Sequence, residues 1–174
     1  MKSLLFILLI NISLLAQSLY LREGLVQAHT GIIMDSIDPV NMELKADLTI
    51  EDNDLTTLDG KFFVEMGMFI SDNKDRDEHM METLNIINFP KAIFTIDRVM
   101  KHSDKLYTLV GDMNFHGVKK ELSFKTDILN TKNTITLTAN SDINGTDFGL
   151  EMPCQFFICV DNKINIIVKA VLDK

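Results

Sequence analysis

The feature that most restricts this chain is a recurring alternation of apolar and polar residues with a period of two. Met42, Leu44, Ala46, Leu48 and Ile50 fall on one side, and Glu43, Lys45, Asp47 and Thr49 on the other. Phe62, Val64, Met66, Met68 and Ile70 repeat the pattern. So do Tyr107, Leu109, Gly111, Met113 and Phe115, then Leu122, Phe124, Thr126 and Ile128, then Ile135, Leu137, Ala139 and Ile143. Successive side chains of a strand point to opposite faces, so this pattern reads as strands with one buried face. Leu25 to Met34 reads as a first strand, with Asp35 to Pro39 as its turn. Glu51 to Asp59 reads as polar loop or as an extension of the ladder through Leu55 and Leu58, and Asp59-Gly60 as a turn signal. His116-Gly117 reads as a tight turn, since glycine takes positive φ without strain. Phe156 to Val160 and Ile164 to Leu172 flank Asp161-Asn162-Lys163, a hairpin signal. So many antiparallel strands with short connections must manage their edges, and closure into a barrel removes edges altogether. Eight strands enclose an interior that side chains can fill or that can hold one small ligand. The expected fold is all-β: an antiparallel barrel of about eight strands with one short helical insertion.

The insertion interrupts the alternation between Ser71 and Ile96. Asp72 or Asn73 can cap a helix, and Asp75 and Asp77 suit its first turn. Met80, Met81, Leu84 and Ile87 form an apolar stripe at helical spacing. Pro90 pushes Phe89 into an extended conformation, which ends the helix before it. Alternation then resumes with Phe94 and Ile96.

The bulk composition narrows the function classes. The chain has 174 residues, 46% of them hydrophobic and 24% charged, with a formal charge of −8. That suits one globular domain, and the absence of a Lys/Arg cluster sets nucleic-acid binding aside. Residues 1–18 are a different material. Lys2 precedes the apolar run Leu4 to Leu15, and Ala16-Gln17-Ser18 offers small residues where a signal peptidase reads. This reads as a secretory signal peptide cleaved after Ser18, leaving 19–174 as a single domain. The run is shorter than the ~20 residues of a spanning helix. Two cysteines, Cys154 and Cys159, are five apart. On one strand that odd spacing would send them to opposite faces, so free buried thiols are expected rather than a disulfide.

No catalytic set emerges. His29, His79, His102 and His116 are scattered, and no nucleophile elbow, phosphate loop, dinucleotide fingerprint or metal-ligand spacing is present. Arg76-Asp77-Glu78-His79 could be an acid/base cluster, but its position favours a structural role. In that role Asp77 stabilises the helix start, and Arg76 and His79 tie the helix to a neighbouring loop. His116 reads as an exposed turn residue. What stands out is apolar: ten Met and eleven Phe, with no Trp. Met is flexible and polarizable and suits adaptable apolar surfaces.

Two segments then resemble a known family. Arg76-Asp77-Glu78-His79-Met80, running to Phe89-Pro90-Lys91-Ala92-Ile93-Phe94, is similar to an R-D-x-H-L helix followed by an aromatic-Pro strand entry. Tyr107 to Lys120, with Gly111 and Gly117, is similar to a G-x-L-T-x-x-G-V-T-K hairpin. Thr146-Asp147-Phe148-Gly149 is similar to a D-F/L-G segment near the family's end. In this order they resemble the polyisoprenoid-binding YceI-like family of exported bacterial proteins. The first half departs from that pattern, and it lacks the usual His-Gly-Ser and Gly-x-Phe segment. That leaves one wall of the barrel open to question.

The resemblance implies a lipocalin-like barrel in the periplasm that holds an isoprenoid or similar lipid. Its expected work is to sequester or transport a long apolar chain of the isoprenoid quinone, polyprenyl or fatty-acyl type. No enzymatic activity, cofactor or metal is implied, beyond a bound lipid. The partners implied are a hydrophobic small molecule or lipid and transient contact with a membrane or membrane enzyme, with a homodimer left open. The expected ligand-binding wall comprises Phe62, Val64, Met66, Met68, Phe94, Leu109, Met113, Phe115, Leu122, Phe124, Ile135 and Leu137. The expected structural signature is Arg76, Asp77, His79, Pro90, Gly111, Gly117, Asp147 and Gly149. The competing expectation is a ligand-free, solid-cored stress or interaction module of the periplasm.

Overall fold

The computed structural model describes residues 16–32, 35–155 and 157–174. The signal-peptide reading of residues 1–15 therefore lies outside the described residues. Ala16, Gln17 and Ser18 already belong to a strand.

The elements follow in chain order as β1 (Ala16–Ile32), β2 (Asp35–Ile37), β3 (Val40–Asn41), β4 (Lys45–Glu51), β5 (Asp54–Glu65), a 3-10 turn at Met66–Met68, α1 (Lys74–Thr83), β6 (Lys91–Lys101), β7 (Leu106–Phe115), β8 (Val118–Asn130), β9 (Thr134–Asn144), a second 3-10 turn at Gly145–Phe148, β10 (Cys154–Gln155), β11 (Ile158–Cys159) and β12 (Lys163–Asp173). Strands β12, β9, β8, β7, β6, β5, β4 and β1 are hydrogen-bonded in that order, and β1 pairs back onto β12. The result is a closed antiparallel barrel of eight strands. The wall left in question by the short first half is complete. β1 pairs with β4 through Ala16–Leu19, then with β3 through Val26 and Gln27, then with β2 through Thr30–Ile32.

The alternation places the core. Along β9, Ile135, Leu137, Ala139, Ser141 and Ile143 are buried and their neighbours are not. β8 does the same with Phe124, Thr126 and Ile128, and β7 buries Tyr107, Leu109 and Met113 but also Val110 and Gly111. The one fully buried hydroxyl among these, Thr126 Oγ1, donates to its own strand at Phe124 O, 3.0 Å away. Burial of a polar group is tolerated when it is bonded in this way.

Several local expectations are corrected. Of the two readings of Glu51 to Asp59, the ladder through Leu55 and Leu58 holds and the polar loop does not. Asp52 and Asn53 make a tight turn with positive φ, and β5 starts at Asp54 with Leu55 and Leu58 facing the core. Gly60 is consequently inside a strand. Its φ is +117°, and a Cβ there would lie 2.1 Å from Asp47 O. Gly60 sits opposite Ile96, which in turn sits opposite Gly111, where a Cβ would meet Thr95 O. Each glycine thus marks a point where a carbonyl of the neighbouring strand leaves no room for a Cβ, rather than a turn. The expected strand through Met68 and Ile70 stops at Glu65, and Asp35–Ile37 folds back on β1 as a strand.

The cysteine expectation is overturned as well. Cys154 and Cys159 form a disulfide, with Cα atoms 4.0 Å apart. The chain reverses between them, so they face each other as paired residues of β10 and β11. The face-alternation argument fails because the two do not share one strand. For the same reason Asp161-Asn162-Lys163 does not turn a hairpin. β11 pairs with β10, and β12 pairs with β9 and β1.

Candidate functional site: a one-ended apolar cavity

The barrel's connections are sorted by end. At one end, here the foot, lie the turns after β4, β6 and β8. At the other lie residues 66–90 with α1, residues 145–162 with the disulfide hairpin, the chain between β1 and β4, and the His116-Gly117 turn. Between these longer connections a cavity of about 680 Å³ opens into the barrel. That is within the roughly 300–1,000 Å³ usual for small-molecule sites.

Strands supply its walls. Val26, Ala28 and Thr30 of β1 stand beside Val168, Ile166 and Ile164 of β12, and next come Ala139 and Ile143 of β9. Phe94 and Phe124 pack edge to face, with ring centroids 4.9 Å apart, and form the floor with Leu109 and Leu137. Below this floor Tyr107, Ile128 and Ile135 fill the foot and do not reach the cavity.

Nine of the twelve expected wall residues line the cavity: Phe62, Val64, Met66, Phe94, Leu109, Met113, Phe115, Phe124 and Leu137. Three do not. Met68 lies in the 3-10 turn beyond β5 and is half exposed. Leu122 faces inward but packs against the core beside Gly111. Ile135 is fully buried in the foot. The alternation identifies the inward face of a strand but not the depth along it. Periodicity also missed the lining from β1, from β12 and from the 150–160 segment, including Leu150, Met152, Cys154 and Ile158. A solid core therefore describes the foot and not the open end.

The helix lies across the mouth. Asn73 caps it by accepting from Arg76 N at 3.0 Å, and Asp77 accepts from Ser71 N and Oγ at 2.8 and 2.7 Å. Arg76 reaches outward to donate to Ser36 O at 3.1 Å and Asp35 at 3.0 Å, which pins the helix to β2. The Ser36 backbone N–H and then the Arg76 guanidinium hold the Asp35 carboxyl below its ordinary range. His79 does not tie the helix to a loop as expected. Its Nδ1 bonds within the helix to Asp75 O at 2.8 Å, and its ring lines the mouth. Arg76, His79, Met80, Glu82 and Thr83 of the helix line the cavity, with the Arg76 guanidinium turned away to β2. Ile87 does not continue the stripe and is exposed, because Asn85 takes a positive φ and breaks the helical phase.

The three segments that carried the resemblance meet at one corner of the mouth. The Phe89 ring, beside Pro90, packs on His116 with centroids 4.4 Å apart. His116 is half-buried rather than exposed, and its Nδ1 bonds to Phe148 O at 3.1 Å. Phe115 packs on Phe148. Asp147 accepts from Asn144 Nδ2 and pairs with Lys120 at 3.5 Å, while Gly149 closes the turn with φ +75°. Pro90 O accepts from Met66 N at 2.7 Å, so it joins the two ends of the long connection. The corner is scaffolding for the mouth.

Comparison with known proteins agrees with this architecture. Burkholderia cenocepacia BcnA has a similar crystal structure, with a TM-score of 0.76 and 12% identity, covering 85% of this chain and 95% of that one. A polyisoprenoid binding domain from Saccharophagus degradans, implicated in plant cell wall breakdown, is similar at a TM-score of 0.70 and 9% identity, covering 89% of this chain and 97% of that one. The Campylobacter jejuni YceI protein is similar at 0.63 and 16% identity, covering 76% and 81%. At these identities the likeness is one of fold. No curated protein matches the sequence. The YceI-like domain model matches residues 25–172, nearly the whole barrel, and on that match the chain belongs to the YceI-like family.

Proposed function

We propose that this protein is an exported carrier that sequesters a long apolar chain, of the isoprenoid quinone, polyprenyl or fatty-acyl type, and performs no chemistry on it. The observation that carries the reading is the one-ended cavity of about 680 Å³, whose walls are almost wholly apolar. Removing a lipid tail from water stabilises the complex by roughly 25 cal/mol per Å² of apolar surface, so binding needs no covalent step. The Saccharophagus degradans neighbour is described as polyisoprenoid binding, which supports the same class of ligand.

A periplasmic location is part of the proposal. It is supported by the leader-like residues 1–18 and by the Cys154–Cys159 disulfide, since such bonds persist in oxidising compartments. Cargo exchange at a membrane surface is also part of it. Met42, Met68, Ile87 and Phe157 are exposed apolar side chains, all on connections at the open end.

Native mass spectrometry after gentle purification, followed by solvent extraction, tests the reading. A bound lipid-sized mass is expected. A protein that is always empty and takes up neither quinone, polyprenol nor fatty acid would overturn it. N-terminal sequencing of the periplasmic fraction should find the leader removed; an uncleaved cytoplasmic chain would overturn the export part.

A further inference from the structure

Resting on the carrier reading, we infer that the mouth selects an uncharged, hydroxyl-bearing head group, as in a polyprenyl alcohol or a quinol, over an anionic phosphate or carboxylate. The inference comes from which polar groups reach the cavity and what they are already bonded to.

Apart from the disulfide, the polar residues lining the cavity among the described residues are Thr30, Arg76, His79, Glu82 and Thr83, four of them from the helix at the mouth. Most of their donors are spoken for. Thr30 Oγ1 donates to Asp161 O and Lys163 O, at 2.9 and 3.0 Å. Thr83 Oγ1 donates to His79 O at 2.9 Å. The Arg76 guanidinium is turned to Ser36 O and Asp35, so its charge is matched by a carboxylate.

The acceptors are not. With Nδ1–H given to Asp75 O, His79 Nε2 has no bonded partner among the described residues and can accept. Glu82, three residues on, carries a carboxylate and also lines the cavity. A hydroxyl can donate to either. A phosphate offers mainly acceptors and charge, and among the described residues no lysine lines the cavity to offset Glu82. A buried tail therefore fixes affinity, and the rim decides which head is accepted. This is discrimination by repulsion as much as by attraction.

The test is competition by native mass spectrometry between equimolar geranylgeraniol and geranylgeranyl phosphate, which share one tail. The alcohol is expected to occupy the protein at least tenfold more than the phosphate. In Glu82→Lys, at an exposed site that leaves the barrel intact, the phosphate should gain at least tenfold relative to the alcohol. Phosphate binding as tight as alcohol binding in the unaltered chain, or an unchanged ratio in Glu82→Lys, overturns the inference while leaving the carrier reading in place. Binding of neither lipid overturns the carrier reading itself, and this inference falls with it.

Discussion

The foot of the barrel and its open end are built from the same strands yet have opposite interiors. In the foot, Ile50, Leu172 and Ile135 are wholly removed from solvent, and Leu48, Leu58, Tyr107 and Ile128 close the space between them. At the open end the small Ala28, Thr30, Ala92 and Ala139 stand among larger inward residues such as Phe62, Met66, Met113 and Phe115, and a cavity remains. The connections differ in the same sense. Two-residue and similarly tight turns draw the foot together, whereas the segments 66–90 and 145–162 hold the other end apart. β1 also leaves β4 after Leu19, and the short strands β3 and β2 fill in beside it, which widens the wall there. The contrast teaches that hydrophobic content does not separate a filled barrel from a hollow one. Side-chain size and the length of the closing connections do.

The sharpest way to break this comparison is to remove equivalent bulk from each end. Ile135→Ala or Leu172→Ala should cost about 2–5 kcal/mol, since each opens a void where none exists. Met113→Ala, beside space already present, should cost less than half as much. Urea midpoints measure both, and equal losses at the two ends would end the distinction.

Adding bulk gives the reverse contrast. Ala139→Phe should abolish lipid uptake, measured by native mass spectrometry, while changing stability by less than about 1 kcal/mol, because a packed site would lose roughly 1–3. A strongly destabilised variant that still takes up lipid would mean the open end is packed.

The disulfide should matter to the mouth and not to the foot. The loop it closes is short, so the chain-entropy contribution of Cys154–Cys159 is at most about 2 kcal/mol. Since Cys154 and Ile158 line the cavity, replacing both cysteines with serine should speed lipid release several-fold and leave amide protection in β4 and β9 unchanged. Altered protection in the foot would show that the two ends are coupled.

The smallest effect expected is at the helix pin. Asp35 has a folded-state pKa below its unfolded value, so the stabilisation from its bonds is present above about 3.9, the ordinary aspartate value. It is lost as pH falls through the lower folded value. Protection of the α1 amides should drop over that range at neutral foot protection, and Arg76→Ala should reproduce the loosening at neutral pH. Unchanged α1 protection in both experiments would mean the pin does not hold the helix.

Much of this was legible in the chain, for local reasons. The inward faces of β7, β8 and β9 follow from alternation, and the His116-Gly117 turn from glycine's tolerance of φ near +76°. The helix start follows from Asn73 and Asp77. Some failures were local, as at Asp52-Asn53 and Asn85, where a positive φ redirects the chain, but others depended on a partner remote in sequence. Gly60 looked like a turn because its need for a missing Cβ comes from Asp47 O on the neighbouring strand. His116 looked exposed because Phe89 and Phe148, which cover it, arrive from two other connections. Ile135 and Leu137 carry the same pattern, yet one fills the foot and the other lines the cavity, because depth depends on barrel register.

The sequence by itself determined that this chain would form strands with one apolar face, broken once by a capped helix, and carried the motifs of its family. A period of two and a capping residue act within a few positions, so they can be read without the fold. Only the tertiary structure decided which end would be hollow, that Cys154 and Cys159 would meet, and that His79 and Glu82 would stand at the mouth. The disulfide depends on the chain reversal between β10 and β11, and the rest on closure of β1 onto β12 and on which connections gather at which end. No local pattern encodes them.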